Sequence, residues 1–277
     1  MAGGCLDLTV VVCTLGKAAV AETIDSIVAS ATAAGRNVQV VLVWQATGEP
    51  PQLPAGVQVL HVSPLGLSHA RNQGLAVAKA ELVGFVDDDE VVDERWVGEA
   101  LSAFTTDGRL DGAFGPVLTA GGHAPPYFSP GDEPRIFEGH HRPPWAIGTG
   151  GNMVFRREAL VRAGGFDTRF GAGAPVGAAE ETDVFIRLLG DHGRLLYTPQ
   201  MPVYHPVRSA GDELAARRVY AFGMGAALQR SPVLAGKYLY TIAEEMGRSL
   251  RQRDAWRRRK TLTTLRGFLS GLVSRRG

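Results

Sequence analysis

Residues 82–89 read Leu-Val-Gly-Phe-Val-Asp-Asp-Asp, so an apolar run ends directly in three carboxylates. The apolar part is short and contains β-branched and aromatic side chains, which predicts a buried strand. Adjacent ionised carboxylates repel one another unless a cation neutralises them, and hard oxygen ligands favour Mg²⁺ or Mn²⁺. We therefore expect a divalent-metal site where this strand ends; a solvated acidic turn is the alternative.

Strand and helix patterns alternate along the chain before this stretch. Strands are predicted over residues 8–14, 38–43 and 57–62, and helices over residues 19–34 and 67–80. The alternation predicts an α/β fold with a mainly parallel, Rossmann-like sheet flanked by helices. Because such sheets bind ligands at the carboxyl ends of their strands, Thr14, Gln45 and Asp87–Asp89 are expected to lie at one edge.

The second half of the chain has weaker patterns. We predict helices over residues 93–104, 157–163 and 180–190, strands over 113–118 and 153–155, and extended segments over 194–197 and 202–205. Residues 119–145 are rich in Gly, Pro and His and lack periodicity, which predicts a long functional loop. Its histidines, His123, His140 and His141, show no spacing typical of a structural metal site.

The composition fits a folded chain with a buried core. The chain has 277 residues, of which 45% are hydrophobic, enough for one large α/β domain or two small ones. Its two cysteines, Cys5 and Cys13, provide neither a disulfide framework nor a zinc spacing, which favours a reducing cytoplasm. We expect no signal peptide, and no apolar run of about 18 residues predicts a transmembrane helix.

Motifs spread over residues 8–206 resemble those of inverting, nucleotide-sugar-dependent family-2 glycosyltransferases of the GT-A fold. They are Ala70-Arg71-Asn72-Gln73-Gly74, Val83–Asp89, Gly150–Arg157, Gly164-Gly165-Phe166-Asp167, Glu180-Glu181-Thr182-Asp183 and His205. The resemblance implies a GT-A domain over residues 1–206, with a nucleotide-binding half over 1–118 and an acceptor half over 119–206. It also implies transfer of a sugar from a nucleotide diphosphate to an acceptor hydroxyl on a small molecule, a glycan or a lipid-linked molecule.

The resemblance further implies roles for individual residues. Asp89, His205 and Asp87 would hold the Mn²⁺ or Mg²⁺ ion. The nucleotide sugar would contact Thr14, Gln45, Arg71, Asp87, Asp88 and Asn152. Glu181 would be the general base that takes the proton of the acceptor hydroxyl, with Glu180 and Asp183 as alternatives. Asp183 could instead form a structural ion pair with Arg187, four residues later.

The sequence departs from the family pattern in two places at the nucleotide site. Gln45 follows the second strand, where the family usually has an Asp that reads uracil. A Gln side chain both donates and accepts hydrogen bonds, so UDP-, dTDP- and GDP-linked donors all stay open. The first strand is followed by Leu15-Gly16 and lacks the family's aromatic residue. Trp44 could take over that stacking role or simply pack in the core.

Other functions explain less of the sequence. A nucleotidyltransferase acting on a sugar phosphate also uses a parallel sheet and acidic metal ligands, but Leu15-Gly16-Lys17 is too short for its phosphate loop. A catalytically inactive nucleotide-sugar-binding module is a second alternative, and the intact acidic triplet and Glu181 argue against it. No RNA- or DNA-binding motif is present, so no nucleic-acid partner is expected.

The C-terminal end is strongly basic, although the net charge of the chain is only +1. Residues 247–277 hold ten of the 29 Lys and Arg residues and one acidic residue. Four leucines, Leu262, Leu265, Leu269 and Leu272, are predicted to share one helical face, among the basic residues Arg257–Lys260, Arg266, Arg275 and Arg276. This pattern predicts that residues 207–277 form a helical extension in peripheral contact with the inner face of a membrane. A helix packed on the body or on a second subunit is the alternative.

Overall fold

The computed structural model describes residues 5–122, 126–207 and 210–274. His123, Arg275 and Arg276, which the sequence analysis singled out, lie outside these ranges. The strands are β1 (Leu8–Thr14), β2 (Val38–Trp44), β3 (Gln58–His61), β4 (Leu82–Asp87), β5 (Val91–Val92), β6 (Gly112–Phe114), β7 (Val117–Thr119), β8 (Arg135–Glu138), β9 (Asn152–Arg156), β10 (Arg194–Tyr197) and β11 (Val203–His205). The helices are α1 (Val20–Ala33), α2 (Leu67–Val77), α3 (Trp96–Thr106), α4 (Arg157–Arg162), α5 (Glu180–Gly190), α6 (Ala210–Leu228), α7 (Pro232–Arg251) and α8 (Ala255–Leu272), with a 3-10 turn over Pro144–Ala146.

The main sheet has the strand order β3-β2-β1-β4-β9-β6-β10-β8. Strand β1 pairs in parallel with β2 and β4, so that Thr14 lies opposite Trp44 and Cys13 opposite Asp87. Strand β9 runs antiparallel between β4 and β6. The register therefore brings the carboxyl ends of β1, β2 and β4 to one edge, as the alternation of elements predicted.

Both faces of the sheet are buried by helices. Along β1, Val10 and Val12 face a cluster that contains Trp96, whereas Val11 faces the opposite cluster, which contains Phe155. Successive side chains of a strand point to opposite faces, and here both faces are apolar. Strands that are buried on both sides give the continuous apolar runs seen in the sequence.

Helix α2 lies unusually close to β1. A Cβ atom added at Gly74 would be 2.3 Å from a methyl carbon of Val11. Only glycine allows this approach, because real Cβ atoms do not come so near a neighbour. Gly74 therefore sets the distance between α2 and β1, and with it the position of Arg71 one turn earlier.

The strand predicted over residues 113–118 is in fact two strands in two sheets. Strand β6 belongs to the main sheet, and β7 pairs in parallel with β11 in a small sheet that also contains β5. Pro116 interrupts the run because it has no N–H to donate. At Gly115 the chain passes so close to Met201 that an added Cβ would lie 1.8 Å from its carbonyl oxygen.

The predicted loop over residues 119–145 contains a strand that the sequence analysis missed. Strand β8 pairs antiparallel with β10 at the edge of the main sheet, with Phe137 opposite Leu195. Phe137 is the buried residue of β8, and its other three residues are exposed. A single buried residue leaves no periodic signal, and the pairing that forms the strand involves residues almost 60 positions away.

The C-terminal helices pack on one another through glycines. Cβ atoms added at Gly225 or Gly271 would meet backbone atoms of the facing helix at 2.2 and 2.0 Å. The predicted helical extension is divided into three helices. The Ser231 hydroxyl caps α7 by accepting from the N–H of Leu234, and Asp254 caps α8 by accepting from the N–H of Arg257.

The predicted leucine face of α8 needs correction. Leu262 and Leu269 are exposed, with 42% and 45% of their surface accessible, whereas Leu265 and Leu272 pack against the cluster around Phe268. Glycines on the inner face bring α8 so close to α6 that neighbouring leucines contact the bundle. No helix within the described residues is long and apolar enough to span a bilayer.

Candidate active site

The acidic triplet lies at the edge of the sheet, where the loop after β1 meets the end of β4. The hydroxyl of Thr14 donates to Asp88 Oδ2 at 2.5 Å and accepts from the backbone N–H groups of Gly16 and Lys17. Asp88 is only 7% exposed, and burial raises the pKa of its carboxyl group. Thr14 thus fixes both the loop and the second carboxylate of the triplet.

Lys17 contributes a positive charge at this point. Its Nζ lies 2.9 Å from Asp88 Oδ1 and 2.8 Å from Asp89 Oδ2, while 54% of its side chain remains exposed. The sequence analysis did not assign Lys17 to the site. The available signal was its position three residues after the end of a strand, within Leu15-Gly16-Lys17.

Arg71 joins three separate segments of the chain. Its guanidinium is 2.7 Å from Glu180 Oε1 and 2.9 Å from Asp87 Oδ1, and it donates to the carbonyl of Gly150 at 2.7 Å. The Arg71 side chain is only 2% exposed. A Cβ at Gly150 would lie 2.9 Å from Glu180 Oε1, so a larger residue there would have to displace this carboxylate. The end of β4, the segment before β9 and the start of α5 are therefore held by one cation.

Asp89 and His205 face each other across the site. Asp89 Oδ1 is 3.7 Å from His205 Nε2, and His205 Nδ1 is 2.6 Å from the carbonyl oxygen of Pro206. A proton on Nδ1 satisfies that carbonyl and leaves Nε2 as an electron-pair donor, the tautomer that metal-binding histidines use. Carboxylate oxygens with one imidazole nitrogen form a donor set that suits Mn²⁺. No three His, Cys, Asp or Glu side chains of the described ranges already form a metal cage.

Glu90 is a buried residue of this site that the sequence analysis missed. It is 2% exposed, and its Oε2 has no hydrogen-bond partner among the residues that the structure describes. Burial raises the pKa of Glu90 well above the usual range, and the charges of Asp87 and Asp89 raise it further. A Cβ at Gly151 would lie 2.4 Å from Oε2, so the carboxyl group sits directly against the backbone there. An unpartnered buried oxygen beside the triplet fits a site that gains a cation.

The start of α5 presents the three candidate bases. Glu181 is half-buried and accepts from the Thr182 hydroxyl at 3.1 Å. Burial, followed by the charge of Glu180, raises the pKa of Glu181 to about 8. Glu180 is paired with Arg71, as described above. Asp183 is 1% exposed and lies 2.7 Å from an Arg187 nitrogen and 3.3 Å from one of Arg230. The i,i+4 pair with Arg187 is therefore present, and it leaves Glu181 as the carboxylate without an arginine partner among these three.

Asn152 lies below the site and does not open onto it. It has no exposed surface; its Oδ1 accepts from the Trp96 indole at 2.9 Å. Its Nδ2 donates to the carbonyls of Pro116 and Met201 at 3.1 and 2.6 Å. The Asn152 side chain joins the two sheets. Because it has no exposed surface, it does not offer the predicted contact to a nucleotide sugar in this arrangement.

Gln45 and Trp44 lie at the end of β2, beside Thr14. The Gln45 side chain donates to the carbonyl of Pro64 at 2.8 Å, and its backbone N–H donates to Thr14 at 3.0 Å. Trp44 is 5% exposed, packs in the core and donates its indole N–H to Gly48 at 2.9 Å. Of the two interpretations of Trp44, the structure favours core packing over base stacking.

Comparisons with known proteins identify the family of this chain. Residues 9–163, more than half of the sequence, match the family model of glycosyl transferase family 2. The chain belongs to this family. The resemblance stated from the motifs is thereby confirmed, and so is the expectation that the protein is a glycosyltransferase.

Two curated relatives are similar in sequence to this family-2 glycosyltransferase. The succinoglycan biosynthesis protein ExoM of Rhizobium meliloti is 28% identical over 232 residues, which cover 77% of this chain and 72% of ExoM. The glucosyl-dolichyl phosphate glucuronosyltransferase of Haloferax volcanii is 27% identical over 149 residues. That match covers 50% of this chain and 47% of the relative, so the chain spans about half of that protein.

Solved structures show the same fold. The mannosyltransferase PcManGT of Pyrobaculum calidifontis, in complex with GDP-Man and Mn²⁺, superimposes with a TM-score of 0.65 at 16% identity, covering 98% of this chain and 88% of that one. Residues 1–349 of S. aureus TarS, in complex with UDP, give a TM-score of 0.59 at 18% identity, covering 96% and 81%. These likenesses confirm the GT-A fold of this glycosyltransferase.

Proposed function

We propose that this family-2 glycosyltransferase moves a sugar from a nucleotide diphosphate to an acceptor hydroxyl and inverts the anomeric centre. The observation that best supports this function is that buried Arg71 contacts both Asp87 and Glu180. They join the strand end expected to bind the donor to the helix expected to supply the base. In the proposed enzyme, residues 1–118 form the nucleotide-binding half, residues 119–206 form the acceptor half, and residues 207–277 form a helical extension.

Asp89, His205 and Asp87 would hold a divalent metal, Mn²⁺ or Mg²⁺. When bound, such an ion stabilises the negative charge that develops on a leaving diphosphate. The donor set, the orphaned Glu90 oxygen and the structural neighbour with Mn²⁺ support this assignment. Asp88 is already hydrogen-bonded to Thr14, so its role is to shape the loop that faces the nucleotide.

Glu181 would act as the general base. Its carboxylate takes the proton of the acceptor hydroxyl as that oxygen attacks the anomeric carbon and the bond to the diphosphate breaks. A pKa of about 8 suits this task, because a base works best when its pKa is near the operating pH. Glu180 and Asp183 are the alternatives, and each would first have to give up an ion pair with an arginine.

The donor nucleotide would be held near Thr14 and Gln45. Gln45 offers both a donor and an acceptor, so UDP, dTDP and GDP each remain compatible with it. Structural neighbours hold UDP in one case and GDP-Man in another. Arg71 would act on the nucleotide mainly through Asp87, because its own side chain is almost fully buried.

A thermal-shift panel tests the donor site. UDP, dTDP and GDP are each added with and without Mn²⁺ to the wild-type chain and to Asp89→Ala. A ligand at 100 times its Kd stabilises the native state by about 2.7 kcal/mol, which gives a measurable rise in Tm. We expect one nucleotide to raise Tm only with the metal, and the rise to vanish in Asp89→Ala. A folded wild-type protein that responds to none of the nucleotides would contradict the proposed function.

We also propose that α8 contacts the inner face of a membrane, where a lipid-linked acceptor would be found. Its outward face carries exposed Leu262, Leu269 and Val273 beside exposed Arg259 and Arg266. Apolar and basic side chains on one exposed face match an interfacial helix, and each basic residue near an anionic surface contributes about 1 kcal/mol. Sedimentation with anionic vesicles should be lost in the double variant Leu262→Glu, Leu269→Glu. Equal sedimentation of variant and wild type would refute the contact.

A further inference from the structure

A groove of about 460 Å³ lies between the 3-10 turn and α7. Its walls include Trp145, Gly236, Lys237, Tyr240, Thr241 and Glu244. The residues from α7 recur at spacings of four along the helix, so one helical face forms one wall and the 3-10 turn forms the other. Neither the donor site nor the proposed base uses any of these side chains.

The groove is held in shape by contacts on both sides. The Trp145 ring packs edge-on against Tyr238, with ring centroids 4.8 Å apart. Lys237 Nζ donates to the carbonyl of His141 at 2.8 Å and thereby ties α7 to the segment before the turn. Gly236 leaves the space open, since a Cβ added there would meet no atom within 4 Å.

The chemistry of the walls fits a carbohydrate. Tyr240 has 66% of its surface exposed and presents an aromatic ring to the groove, opposite Trp145. The electron-rich faces of such rings attract the C–H groups of a sugar ring. Thr241 and Glu244 add hydrogen-bonding groups for sugar hydroxyls. Glu244, one helical turn from Tyr240, raises the pKa of the Tyr240 hydroxyl.

The groove also lies within a short distance of the proposed active site. Trp145 precedes Gly150 by five residues, and the Gly150 carbonyl accepts from Arg71, which pairs with Glu180. Five residues span at most about 18 Å, the length of a short oligosaccharide. The groove and the start of α5 are therefore close enough for one short sugar chain to reach both.

We infer that this groove binds a glycan segment of the acceptor, a few neutral sugar units behind the hydroxyl that is extended. The inference rests on the proposed function and narrows its acceptor class to oligosaccharides, free or lipid-linked. The glycosyltransferase would then contact the acceptor at two points, the reacting hydroxyl near Glu181 and a sugar stacked beside Tyr240.

Saturation-transfer NMR with cellotetraose, β-1,4-mannotetraose and β-1,4-galactotetraose tests the inference on the full chain. We expect at least one tetrasaccharide to bind the wild type. Gly236→Leu should abolish binding because its side chain fills the groove. Tyr240→Ala should weaken it by about tenfold, the ratio that corresponds to one lost stacking contact. Gly247→Leu is the matched control on the same helix, where an added Cβ meets only Arg251 Nη1 at 3.5 Å, and it should bind like the wild type.

Three outcomes would overturn the inference: no tetrasaccharide binds the wild type, Gly236→Leu binds as well as Gly247→Leu, or Gly236→Leu loses binding to glycan-free anionic vesicles instead. The last result would assign the aromatic groove to a lipid surface. The nucleotide thermal shift is recorded on the same variants and should not change. If the nucleotide shift is present and the oligosaccharides fail to bind, the groove inference fails alone, whereas a missing nucleotide shift counts against the proposed function.

Discussion

Replacing Lys17 should change the affinities for two ligands, Mn²⁺ and a nucleoside diphosphate, in opposite directions. Its ammonium group lies 2.9 Å from Asp88 and 2.8 Å from Asp89, so it neutralises the proposed metal ligand Asp89 and the carboxylate beside it. Its side chain is 54% exposed, so each contact is screened by solvent and contributes about 0.2–1 kcal/mol. Two such contacts together oppose metal binding by about 0.4–2 kcal/mol, which corresponds to about a 2- to 30-fold change in affinity.

We therefore expect Lys17→Gln to bind Mn²⁺ about 2- to 30-fold more tightly in the absence of nucleotide. The measurement is the free Mn²⁺ signal in electron paramagnetic resonance titrations. In the presence of a nucleoside diphosphate, the freed ammonium pairs with phosphate, so the same variant should bind the nucleotide more weakly. Lys79→Gln is the control, because Lys79 is exposed near the opposite end of β4 and its loss changes the net charge equally. Unchanged or weaker Mn²⁺ binding by Lys17→Gln would refute the reasoning.

Three further predictions concern the buried parts of the site. Arg71→Met leaves buried Glu180 without its cation and should lower the free energy of unfolding by about 3–5 kcal/mol, measured by urea denaturation. A loss below 1 kcal/mol would show that the Arg71–Glu180 pair is not buried as described. The transfer rate should rise with pH and level off above about pH 8, because Glu181 must lose its proton to act as a base, and Glu181→Gln should retain nucleotide binding but lack activity. A rate that is independent of pH between 6 and 9 would exclude this base. Gly74→Ala should cost about 1–3 kcal/mol through the clash with Val11, seen as a lower Tm, whereas Gly108→Ala, where an added Cβ meets no atom, should not.

The sequence predicted the parts of the fold that local patterns determine. Strand β4 and the carboxylates after it were evident because a buried strand on a parallel sheet needs an unbroken apolar run. Strand β8 was missed because its one buried residue, Phe137, gives no periodic signal. The division at Gly115-Pro116 was also missed, because only the nearby Met201 backbone explains why the chain must change sheets there.

The site was predictable in its members more than in its contacts. The motifs placed Arg71, Asp87 and Glu180 in one site, and the structure brings these three together. Lys17 and Glu90 were missed, because their importance depends on distances between loops that no spacing along the chain reveals. Asn152 belongs to a motif, but its amide is fully used by buried hydrogen bonds that only the packing of two sheets creates.

The contacts of Arg71 have a consequence for how the donor and the acceptor influence each other. Asp87 and Glu180 both pair with the single positive charge of Arg71, so the charges of the two carboxylates are coupled through it. A donor that alters the charge at Asp87 would also alter the field at the start of α5, where the proposed base Glu181 lies. Thermodynamic reciprocity then requires that the protonation state of Glu181 alter the affinity for the donor by the same factor. The two substrates can thus influence each other electrostatically, without a moving lid between them.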